Sequence, residues 1–118
     1  MGDDENGIRF RTQLRVPISM DVELQFDDSG WSSYALNDIS WGGIFVRTQN
    51  LKPLGAKVAI QIPVTEDGVK LEVRGKVVRH NKIVFGEPVV GMGIEFNKID
   101  DEAKSLIQGL INKKLLKK

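Results

Sequence analysis

From Val16 the chain alternates. Val16, Ile18, Met20, Val22, Leu24 and Phe26 are apolar, with Pro17, Ser19, Asp21, Glu23 and Gln25 between them. A period of two sustained over this length marks a strand with one face buried and one in water. Asp27-Asp28-Ser29-Gly30 supplies the turn that ends it. The next strand, roughly Trp31 to Ser40, is less regular: strict parity puts Tyr34, Leu36, Asp38 and Ser40 on one face and Ile39 on the other. Either Tyr34 and Leu36 lie on an outer face or a bulge changes the register. Trp41-Gly42-Gly43 interrupts, and Ile44-Phe45-Val46 resumes as a short strand. After a Lys52-Pro53-Leu54-Gly55 turn, Val58, Ile60, Ile62 and Val64 alternate again. Thr65-Glu66-Asp67-Gly68 is a hairpin signal, with Leu71, Val73, Gly75 and Val77 on the return. Val90, Met92, Ile94 and Phe96 mark a last strand.

The tail changes period. Asp100 is placed to cap a helix in which Ala103, Leu106, Ile107, Leu110 and Ile111 follow the i, i+3, i+4, i+7, i+8 spacing. Asp101 and Glu102 suit its positive end, and Lys113, Lys114, Lys117 and Lys118 its negative end. Six antiparallel strands hide their edges best by closing on themselves. The expected fold is therefore mainly β: a six-stranded antiparallel β-barrel with a C-terminal α-helix over one mouth or side. One domain is expected, with an N-terminal arm over 1–15, the barrel over 16–99 and the helix over 100–118.

Composition narrows the function. The 118 residues suffice for a single modest core. Seventeen basic against sixteen acidic residues leave a formal charge of +1, too balanced for general nucleic-acid binding, so no DNA or RNA partner is expected. With only short apolar runs, no membrane insertion is expected. The chain has no cysteine and opens on Met-Gly-Asp-Asp-Glu rather than a basic and apolar leader, which fits a cytoplasmic protein. Catalysis is poorly provided for: the one histidine, His80, stands beside Arg79 and Asn81 with no carboxylate or nucleophile at useful spacing. No metal, cofactor or catalytic residue is expected, and the chain reads as a binder rather than an enzyme.

Two segments could carry binding. Arg11 and Arg15 lie four apart, with Arg9 nearby. Each guanidinium is a planar fork that grips a phosphate with two parallel hydrogen bonds, or donates to the O6 and N7 edge of a guanine. In an extended segment their Cα atoms are up to about 13 Å apart, and the side chains can converge on one anion. The alternative is a solvated basic arm balancing Asp3, Asp4 and Glu5. The second segment is Asp38-Ile39-Ser40-Trp41-Gly42-Gly43. A carboxylate can accept from both the N1 and N2 donors of guanine, Ser40 can donate or accept beside it, and Gly43 lets a flat base or a phosphate near the backbone. The alternative is a bulged turn in which the glycines take positive angles and Asp38 bonds locally.

Arg11-x-x-x-Arg15 followed by Asp38-x-Ser40-x-x-Gly43 resembles the two-part signature of PilZ domains, bacterial receptors for cyclic di-GMP. Val16-Pro17, Gly42-Gly43-Ile44-Phe45-Val46-Arg47-Thr48 and Gly91-Met92-Gly93-Ile94-Glu95-Phe96 are similar to the family as well, so the likeness spans about residues 9 to 111. It implies a six-stranded barrel with a C-terminal helix. It also implies that Arg11 and Arg15 hold phosphate and the outer edge of guanine, while Asp38, Ser40 and Gly43 read or accommodate guanine from the barrel. Arg9, Phe10, Trp41 and Gly42 are auxiliary candidates. Phe10 precedes the first motif arginine, where an apolar residue leans towards one bound ligand molecule. Trp41 has three readings: stacking on guanine, anchoring a protein interface, or packing on the barrel.

The expected function is that of a non-catalytic receptor whose arm folds over cyclic di-GMP and alters a surface recognised by a downstream protein. One competitor is a PilZ-like interaction adaptor that does not bind the nucleotide. The other is a small barrel for single-stranded nucleic acid, which would need aromatic platforms along a basic groove.

Overall fold

The computed structural model describes residues 15–27 and 29–116. Arg9, Phe10, Arg11 and the rest of the expected arm before Arg15 lie outside the described residues. Six strands follow in order: β1 (Val16–Phe26), β2 (Ser32–Ser40), β3 (Gly43–Arg47), β4 (Lys57–Pro63), β5 (Lys70–Val84) and β6 (Glu87–Phe96). All pairings are antiparallel, and the ring β1-β2-β3-β6-β5-β4 closes through β1 and β4 into a barrel. Among the described residues, closure pairs every strand of the barrel on both sides, and only the extension of β5 and β6 beyond it keeps outer edges without a strand partner.

The alternation of β1 is obeyed residue by residue: Val16, Ile18, Val22, Leu24 and Phe26 are buried, Met20 is half-buried, and the residues between them face outward. Burying each such side chain is worth about 1.5–3 kcal/mol, which fixes the register of the strand. In β2 the question of parity is settled by a bulge. Leu36 pairs with Val46 and Asp38 with Phe45, so Asn37 is the extra residue. Leu36 and Ile39 both reach the core, and Tyr34 packs edge-on against Phe26 with ring centroids 6.5 Å apart.

β5 runs well past the alternation that announced it, to Val84. It passes irregularities in its pairing with β6 at Val77/Arg79 and His80/Lys82. Near the second, Asn81 takes a φ of +60° and its Oδ1 accepts the Gly91 N–H at 3.1 Å.

The helix, α1 (Asp101–Leu116), starts where Asp100 Oδ1 accepts the Ala103 N–H at 2.8 Å, satisfying one of the orphan donors of the first turn. Ala103, Ile107, Leu110 and Ile111 are buried, and the last three join the barrel core. Leu106, expected in the same stripe, is instead exposed at its flank. Among the described residues no helix is long and apolar enough to cross a membrane.

Candidate functional site

The bulge in β2 does more than restore register. By placing one extra residue at Asn37, it turns Asp38 outward beside its β3 partner Phe45 while Ile39 stays inside. Phe45 lies on the outer face of the sheet yet is only 1% exposed. It fills a trough left by two glycines of β6: a Cβ on Gly91 would stand 2.8 Å from the Phe45 ring, and one on Gly93 would touch it at 3.6 Å. The Lys82 ammonium stands over that ring, 4.5 Å from its centroid. The Gly-Met-Gly run of β6 thus seats Phe45, and Phe45 helps aim Lys82 at the site.

Asp38 is the hub. Its Oδ1 accepts from Arg15 Nε at 2.5 Å, and its Oδ2 accepts from Asn37 Nδ2 at 2.8 Å and from the Lys82 ammonium. The Asp38 side chain is 6% exposed. Burial alone would push its pKa up, but the hydrogen bonds from Lys82, Arg15 and Asn37, with the charge of Arg15, outweigh that and hold it below the usual value. Arg15 also reaches Ser40, whose Oγ accepts from Nη1 at 3.3 Å and from the Gly42 N–H at 3.2 Å. Of the expected ligand residues, then, Arg15, Asp38 and Ser40 stand in one hydrogen-bonded cluster.

A cleft of about 210 Å³ opens beside that cluster, lined among others by Arg15, Gly42, Gly43, Phe45, Arg79, Lys82, Gly93 and Glu95. Three cations, Arg15, Arg79 and Lys82, meet one lining carboxylate, Glu95, around a floor kept low by glycines; Asp38 pairs with two of the cations, which leaves a small positive excess beside a flat floor. Gly43 lines the cleft, but the structure gives a further reason for it. A Cβ there would lie 2.1 Å from the Ile94 carbonyl oxygen, so β3 and β6 approach this closely only with glycine. Neither Gly42 nor Gly43 is at a positive angle, so the strained-turn alternative does not describe them. Trp41 turns towards the helix: its indole Nε1–H donates to Gln108 Oε1 at 2.6 Å, and the side chain stays 38% exposed. His80 is half-buried rather than free on the surface, with Nε2 2.6 Å from the Lys52 carbonyl oxygen, a structural contact.

Lys82, Arg79 and Phe45 are the site residues that sequence reasoning missed. The alternation of β5 gives out after Val77, which concealed the strand that carries both cations to the cleft. A signal was present in Lys82-Ile83-Val84-Phe85-Gly86, a short β-forming run ending in a glycine turn. Among the described residues no group of acidic, histidine or cysteine side chains could hold a metal ion.

Comparison with known proteins agrees with this fold. The family model described as PilZ domain matches residues 9–113. A search of curated proteins gave no match. The solved structure of the Bacillus subtilis inhibitor of motility, MotI/DgrA, is similar with a TM-score of 0.69 at 22% identity, over 92% of this chain and 52% of that one. The PilZ domain of YcgR from Escherichia coli, solved with c-di-GMP, gives 0.63 at 16% identity, over 86% and 88%. PlzA of Borreliella burgdorferi, in complex with c-di-GMP, gives 0.59 at 19%, over 92% and 44%. The chain thus spans about half the length of MotI/DgrA and of PlzA.

Proposed function

The chain belongs to the PilZ domain family, and from that premise we propose that it is a non-catalytic cytoplasmic receptor for cyclic di-GMP. Its N-terminal arm, through Arg11 and Arg15, closes over the ligand and so alters a surface read by another protein. The observation that carries this reading is the placement of Arg15. The last residue of the arm is moored to Asp38 and Ser40 at the edge of a cleft that Arg79 and Lys82 also line.

Mooring by Nε and one Nη1 hydrogen leaves the rest of the guanidinium fork for a phosphate or for the O6 and N7 edge of guanine. Asp38 keeps capacity too. A carboxylate offers about four acceptor directions, and Arg15, Asn37 and Lys82 occupy three. Its hydrogen bonds keep it ionised, as an acceptor for guanine N–H donors must be. Two phosphates bring charge that Arg15, Lys82 and Arg79 can meet, joined by Arg11 from the arm. No bond in the ligand is made or broken.

Calorimetric titration of cyclic di-GMP into the wild type and Arg15→Ala tests this. Binding at micromolar levels or tighter, on the order of −8 kcal/mol, is expected for the wild type and is lost or greatly weakened in the variant. No heat at high ligand concentration, with an unchanged melting temperature, overturns the receptor reading and leaves a PilZ-type adaptor. Amide exchange over residues 9–14 that fails to slow on ligand addition overturns the closing arm alone.

A further inference from the structure

β5 and β6 continue past the barrel as a finger. β4 pairs with β5 only as far as Lys76, and β3 with β6 only as far as Gly91. Thr48 N–H still reaches the Val90 carbonyl, His80 the Lys52 carbonyl and Lys82 the Asp38 carboxylate; past them the tip is held by its own pairs, Ile83 with Pro88 and Val84 with Glu87. The turn is Phe85-Gly86, with φ of +52° and +80°. Two-residue turns with both central angles positive favour Asn-Gly or Asp-Gly. An aromatic residue there is disfavoured by about 1–2 kcal/mol, and nothing in the barrel offsets it: Phe85 is 100% exposed, and Ile83 beside it 67%. A residue that breaks its local rule without a gain in the isolated molecule points to a gain made elsewhere.

We propose that this finger is the surface by which the protein docks its partner, a protein with an apolar cleft that takes in the Phe85 ring and a cationic rim that meets Glu87. Its regulation by nucleotide rests on the receptor reading above. A second copy is a poor occupant, because a tip meeting a tip sets Glu87 against Glu87 with no free cation on residues 81–90 of either copy. A bilayer is a poor one too. Fingers that enter anionic headgroups carry cations near the tip, whereas over residues 81–90 the charges are Lys82, already bound to Asp38, and Glu87. A projecting aromatic that fills a pocket is how a small contact becomes a strong one. Lys82 supplies the coupling. It stands on the finger and grips the hub of the nucleotide site, so a ligand that draws on either Asp38 or Lys82 shifts the finger, and the partner in turn shifts nucleotide affinity.

The test places benzoylphenylalanine at position 85 in the native cell, identifies the cross-linked neighbour, and titrates that purified protein against the full chain with and without cyclic di-GMP. The wild type is expected to bind it with an affinity that the nucleotide changes at least threefold. Phe85→Asn is expected to bind at least tenfold more weakly while melting no lower and titrating cyclic di-GMP like the wild type. Equal binding by Phe85→Asn, cross-links only to a second copy, or no cross-linked protein overturns the proposal. So does flotation of the wild type, but not Phe85→Asn, with vesicles of phosphatidylcholine and phosphatidylserine. A wild type that docks the neighbour but ignores cyclic di-GMP in calorimetry overturns the receptor reading and the coupling, and leaves the docking finger standing.

Discussion

One strand, β5, is joined to its neighbours by two hairpins built on opposite terms. At its start, the Thr65–Gly68 connection agrees with local chemistry at each position. Thr65 Oγ1 donates to Asp67 Oδ1 at 2.5 Å and accepts the Val69 N–H at 3.0 Å, and Gly68 takes a φ of +94°. Glu66 then ties the turn to α1 through Lys113 at 3.5 Å. At its far end, Phe85 occupies an angle that suits asparagine or glycine, and its ring lies wholly in water. The first hairpin is furnished for stability and leans on the helix. The second departs from local preference next to the strand segment that lines the candidate cleft. Where sequence and backbone agree, the turn needs no further account; where they disagree, as at Phe85, strain or function is the expected reason.

The largest test of that contrast is Asp38→Ala, which asks whether the functional end of β5 is also structural. Removing the carboxylate strands Lys82, whose side chain is only 15% exposed, and frees Arg15. A loss of roughly 2–3 kcal/mol is expected in urea denaturation, below the full cost of breaking a buried pair because both cations can turn to water. An unchanged midpoint would show that the cluster adds nothing to the stability of the fold.

The same carboxylate sets a pH dependence. Its folded pKa lies below the unfolded one, so the unfolded chain takes up the proton first as pH falls. Its contribution is full above the unfolded value of about 3.9, shrinks as pH drops below it, and is gone once pH passes the folded value. The stability difference between wild type and Asp38→Asn should therefore hold steady from neutral pH to about 5 and narrow only in stronger acid. A difference that instead shifts in favour of the wild type as pH falls towards 6 would mean that the folded carboxyl is raised.

The contrast also explains what was legible in advance. β1 and the first half of β5 declare themselves because each second side chain is apolar and buried, and the helix does so through Asp100 and its four buried positions. The site was legible where motif residues cluster within a few positions, as with Asp38 and Ser40. The bulge at Asn37 was visible only as a broken alternation, since sequence does not say which neighbour accommodates the extra residue. Lys82 was hidden for a related reason. The positive angle at Asn81 and the pairing irregularity beside it erase the period of two just before the lysine that completes the site. Its contact with Asp38 joins residues 44 apart, a relation that only the closed barrel creates.

Smaller effects sharpen the comparison at the turns themselves. Gly68→Ala meets no atom within 4 Å, so its cost is conformational alone and should be about 1 kcal/mol. Phe85→Asn should run the other way. Asparagine tolerates the positive angle that phenylalanine does not, and losing a ring that buries nothing forfeits no packing, so a gain of about 0.5 kcal/mol is expected. Opposite signs from substitutions at the two ends of one strand, measured in the same denaturation series, would separate a turn kept for the fold from one kept for a partner. A Phe85→Asn variant that loses stability would show the ring packing in solution, and the strain argument for the finger would fall with it.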